Sequence, residues 1–126
     1  MRKLTLCLVA VAVALPLVAS LSAAESKAVQ TMAGILMKLN HFATDPEKAQ
    51  LKAIVDDKAT TPAEKTVAQA LINVQHKVAD ADKPKLEALV KDKATPESIK
   101  TMSEVILGLN HTPSDAEKEK LKKLTQ

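Results

Sequence analysis

The feature that most limits how this chain can fold is an internal repeat. Thr31, Thr66 and Thr101 stand 35 residues apart, and the same step links His41, His76 and His111, then Asp45, Asp80 and Asp115, then Leu51, Leu86 and Leu121. "DKAT" recurs at Asp57 and Asp92 on that spacing. A register held without insertion through helix-forming residues means that one supersecondary unit is built three times, in copies of approximately residues 25–60, 61–94 and 95–126. A unit of this size cannot bury its apolar stripe alone, so the copies must pack on one another.

The first half of each copy reads "TMAGILMKLNH", "TVAQALINVQH" and "TMSEVILGLNH". Met32, Ile35, Leu36 and Leu39 and their counterparts fall at i, i+3, i+4, i+7, which makes one apolar helix face. "TTPAEK" and "ATPESIK" combine a capping Thr, a proline suited to the first helical position and an early acidic residue, and predict helix starts near Thr61 and Thr95. The second half predicts a shorter helix with a narrower stripe: Leu51, Ile54 and Val55, then Leu86, Leu89 and Val90, then Leu121 and Leu124. "SDAE" at Ser114–Glu117 is a capping box, Pro46 suits a first turn, and Pro84 pushes the middle helix start later. The expectation is an all-α fold of three tandem helical hairpins, stacked as a short α-solenoid or a compact bundle, with the lysine-rich last helix as its solvated cap. The period is close to that of tetratricopeptide repeats, but their Trp, Gly and Tyr signature positions are empty, so nothing is carried over from that family.

Ahead of the repeats, residues 1–24 have a basic start at Arg2 and Lys3, an apolar run from Leu4 to Val18, and small residues at Ser22 and Ala24. This pattern predicts a secretory signal peptide cut after Ala24, so that the mature chain begins at Glu25 in the periplasm or outside the cell, with no stable membrane anchor. Cleavage would remove Cys7, the only cysteine, and with it any disulfide, thiolate site or haem attachment. It would also remove two of eighteen basic residues, leaving 16 against 15 acidic ones, a net charge of +1 that gives no basis for nucleic-acid binding. Phe42 is the sole aromatic residue, so no stacking platform for bases or a flat cofactor exists.

The repeated histidines admit two readings. In the first, His41, His76 and His111 end the first helix of each copy, Asn fills the left-handed position past that end, and Asp45, Asp80 and Asp115 open and cap the second helix, with an Asp to His hydrogen bond fixing the turn. In the second they ligate a metal ion, as imidazole would in a cysteine-free exported protein. Equivalent positions in a stack lie about 8 to 10 Å apart, the distance between packed helices, and two ligands of one ion must sit much closer; only an inward tilt would bring two rings together, which favours the first reading. One group repeated three times is also unlike an active site, where different groups converge.

A second, minor strip of Met37, Ile72 and Leu107 is expected to pack against the neighbouring copy, or to dock a partner if exposed. No catalytic and no cofactor-binding residue is assigned, no cofactor is expected, and His41, His76 and His111 stand as the only metal candidates. The sequence therefore points first to an exported, non-catalytic helical-repeat interaction or scaffold module with a protein partner. A small periplasmic metal-binding protein is the alternative.

Overall fold

The structure is a computed structural model and describes residues 25–126, so the expected signal peptide and Cys7 lie outside the described residues. The described residues form six helices and no strand: α1 (Lys27–Lys38), α2 (Asp45–Asp56), α3 (Pro62–Asn73), α4 (Lys83–Lys91), α5 (Glu97–Leu107) and α6 (Asp115–Leu124). The starts of α1, α3 and α5 are 35 residues apart. Helix α4 starts at Lys83, three residues after the register position Asp80. A helix begun at Asp80 would carry Pro84 beyond its first turn, where the ring meets the carbonyl of Asp80 and the bonding N–H is missing.

Capping chemistry sets the other starts. Thr61 caps α3 and Ser114 caps α6, each accepting from the backbone N–H of the glutamate three residues on and donating its own backbone N–H to that carboxylate. Thr44 donates likewise to Glu47 at the start of α2. Asp45 and Asp115 are thus first-turn residues and not caps, a correction to the sequence reading, and the middle helix is flanked by Asp82, whose carboxylate makes no capping bond and accepts instead from the Asn73 amide. Pro96, not Thr95, flanks α5.

The anticipated apolar face is the core. Met32, Leu36, Val67, Leu71, Met102 and Ile106 on α1, α3 and α5 are fully buried, and Leu51, Leu86 and Leu121 each seal one of the second helices onto them. Met37, Ile72 and Leu107 are half-buried against the same core, so the minor strip serves packing.

Two features of the packing differ from the sequence expectation. Each second helix packs most closely on the first helix of the following copy, α2 on α3 and α4 on α5, rather than on its own partner in the hairpin. The last follows the same rule, with α6 lying against α1. The lysine-rich helix therefore closes a ring instead of capping an open stack, and α1, α3 and α5 all touch one another at the centre. These three run parallel. Their N-terminal ends share one shallow cavity lined by Ser26, Val29, Thr61, Glu64, Pro96 and Ile99, and their C-terminal ends lead to the three histidines.

At the N-terminal pole Glu64 replaces the apolar Val29 and Ile99 of the other copies. Its buried carboxylate accepts from the Ser26 hydroxyl and from the backbone N–H and hydroxyl of Thr61, which couples α1 to α3. Burial alone would raise the Glu64 pKa, but these hydrogen bonds outweigh it and hold the group below its ordinary value.

Two stability outcomes follow from this core. Leu71→Ala should lower the unfolding free energy by about 2 to 5 kcal/mol in urea titrations, the usual range for a buried leucine. A loss under about 1 kcal/mol would mean that the central helix is loosely held. For Glu64 the folded pKa is depressed, so its contribution is complete above the unfolded value of about 4.3 and is lost as pH falls from there through the folded value. Glu64→Gln should therefore flatten the decline of stability below about pH 4.3, seen as a smaller change in urea midpoint than wild type shows over that range.

Candidate metal centre

Each histidine lies in a segment pinned on both sides. Leu39, Val74 and Leu109 are buried two residues before, and Ala43, Val78 and Pro113 are buried two residues after. With both flanks anchored, the chain must reverse over the residue between them. It does so with His41 at φ 72°, His76 at φ 64° and His111 at φ 68°, the left-handed region. In each case the residue after the histidine donates its N–H to the carbonyl of the residue before it: Phe42 to Asn40 at 2.9 Å, Lys77 to Gln75 at 2.7 Å, Thr112 to Asn110 at 2.9 Å. Positive φ with a bond spanning two residues marks the rare and strained form of γ-turn. The histidines, and not the preceding Asn residues, hold the left-handed position, which corrects the sequence reading.

The three turns interlock. The His41 N–H donates to the His111 carbonyl at 2.9 Å, His76 to His41 at 2.7 Å, and His111 to His76 at 2.6 Å, so three main-chain hydrogen bonds form a closed cycle across the copies. Such bonds contribute about 0.5 to 1.5 kcal/mol each, while a left-handed residue with a side chain costs about 1 to 2 kcal/mol. The two effects nearly cancel. Glycine would make the same cycle without the steric cost, because the cycle uses only backbone atoms. The turn therefore explains the position but not the imidazole.

The side chains converge where the backbones do. The rings of His41 and His76 are 4.9 Å apart between centroids, His41 and His111 5.0 Å, and His76 and His111 5.1 Å, each pair edge to face. One ring nitrogen from each lies within 4.8 Å of the other two. The expected separation of one helix spacing is thus wrong. It assumed an open stack, and the closed ring brings the three loops to a common axis.

Second contacts prepare two of these rings. The Asn40 amide oxygen lies 2.6 Å from Nδ1 of His41, and that of Asn110 lies 2.8 Å from Nδ1 of His111. An amide oxygen can only accept, so this contact favours a proton on Nδ1 and turns Nε2 away from the asparagine, the way groups behind a metal-binding histidine fix its tautomer. In the middle copy Gln75 takes the place of Asn, and no such bond joins it to His76. The anticipated Asp to His bond is not the one formed: Asp80 pairs with Lys83, and Asp115 faces Lys118. The parallel helices α1, α3 and α5 also direct the negative ends of their dipoles at this pole, a field that favours a cation there. His41 is half-buried and the other two are exposed, so the site opens to water.

Asn40 and Asn110 were missed as orienting groups, although the repeated "NH" pair was visible; only the sharp turn makes adjacent side chains meet. The chain matches no protein-family model, and comparison with curated proteins and with solved structures gave no match.

If the cycle is purely a backbone device, His111→Gly should be no less stable than His111→Ala, since alanine retains the left-handed strain that glycine avoids. Urea unfolding of both variants without added metal checks this. A glycine variant weaker than alanine by more than about 1 kcal/mol, beyond the ordinary entropic cost of glycine, would show that this backbone conformation is not held in solution.

Proposed function

We propose that this protein is a non-catalytic metal-binding protein of the periplasm or cell envelope, and that His41, His76 and His111 hold one zinc ion. The observation that carries the reading is the convergence of three imidazoles within 4.8 Å at turns whose backbone has no need of them. Tetrahedral zinc at about 2.0 to 2.1 Å from nitrogen wants its donors roughly 3.4 Å apart, so ring rotations that draw the nitrogens together by about 1.4 Å suffice. The three-copy architecture supplies one ligand from each copy. Three nitrogens on one axis leave a fourth position open, which suits zinc and does not suit the square-planar preference of copper(II). Ligation through one exposed face also fits an ion that is taken up and released rather than locked in a core.

The protein-docking reading rests on no comparable feature, because the apolar strip that would have served it is half-buried. Calorimetric titration of the residue 25–126 chain with zinc should give one ion per chain, and His76→Ala should abolish it. Saturation at 100 times Kd should add about 2.7 kcal/mol of stability by mass action, read as a raised Tm that chelator reverses. Weak uptake of several ions per chain, unchanged by histidine replacement, would overturn the reading.

A further inference from the structure

The three copies are not equivalent around the histidines, and their differences fall together. Position 42 is Phe, while the matching positions hold Lys77 and Thr112. Phe42 is 54% exposed, the large apolar side chain most open to water among the described residues. Lys48 sits with its ammonium 5.6 Å from the centre of that ring. The equivalent lysines are engaged by carboxylates, Lys83 by Asp80 at 2.6 Å and Lys118 by Asp115 at 3.9 Å, whereas Lys48 has no ion pair among the described residues. Gln75, the residue that fails to tie down its neighbouring histidine, completes the group. Phe42, Lys48, Gln75 and His76 line one cleft of about 300 Å³.

We infer that this cleft is the binding site for a small monocarboxylate with an apolar body, which supplies the open fourth position of the ion; the inference rests on the zinc reading above. The chemistry of each wall selects this class. The ion and the Lys48 ammonium both attract an anion, and the Gln75 amide offers N–H donors to the carboxylate oxygens. Phe42 gives an apolar surface for the rest of the molecule, and a volume near 300 Å³ is at the small end of ligand pockets. The symmetric groups would hold the ion, and the groups that break the symmetry would choose what joins it. No bond within the carboxylate would be made or broken: it would take a coordination position on the bound ion in place of solvent.

Cobalt(II) in place of zinc gives visible absorption bands that report its ligands, and benzoate and acetate serve as probes. Benzoate should change the bands of the cobalt-loaded protein saturably and bind more tightly than acetate. Lys48→Gln should weaken benzoate at least tenfold, Phe42→Ala should remove the preference over acetate, and Lys83→Gln, the matching lysine of another copy, should do neither. Cobalt bands that ignore both carboxylates would overturn this inference and leave the metal site standing. Equal weakening by Lys48→Gln and Lys83→Gln would overturn it too, because only general charge would then be at work. Failure of the protein to hold cobalt at the histidines would remove both readings together.

Discussion

The cycle of three main-chain hydrogen bonds between His41, His76 and His111 is the constraint on which the rest of the structure depends. Each copy contributes one donor and one acceptor, so no two copies satisfy it, and the turns that make it must bend into a costly backbone region to reach one another. Buried residues on both sides of each turn hold them there, and the parallel central helices set how far apart the turns begin. Because the cycle closes on backbone atoms, it places no demand on the side chains at its apex, which symmetry gathers edge to face at one point.

That division between backbone and side chain gives the functional reading its logic. The helices and caps account for the core and the turns for the cycle, and though histidine is among the side chains that tolerate positive φ, neither requires an imidazole at all three turns. On the zinc proposal, an imidazole in a strained conformation that glycine would relieve is there for what its nitrogens meet. The same reasoning extends outward: where the copies agree they build the axis, and where they differ, at Phe42, Lys48 and Gln75, they line one cleft beside it.

Much of this was legible in the sequence. The repeat step, the buried faces around Leu36, Leu71 and Ile106, the delayed start forced by Pro84 and the Ser114 capping box all come from local spacing, and local spacing decides helix position and burial. The separation of the histidines was not legible. Their distance depends on whether the third copy returns to the first, a property of summed helix angles that no single copy encodes. The left-handed turn was misplaced by one residue for a related reason, since Asn is the usual occupant and only the interlocking of three turns moves the reversal onto histidine. The Glu64 clamp was hidden because the residue reads as an ordinary first-turn acid until Ser26 of another copy is brought against it.

The cycle also bears on the order in which the molecule comes together. His41 and His111 are separated by 111 minus 41, or 70, residues of chain, and α6 meets α1 across nearly the whole described length. Helices and neighbouring copies form from short-range contacts, but the last hydrogen bond is a long loop closure whose entropy must be met before it gives any return. In a chain that emerges N-terminus first, the first two copies have α1 still uncovered by its final neighbour, and the fold is sealed only when α6 arrives. Assembly of this small domain is therefore gated by its C-terminal end.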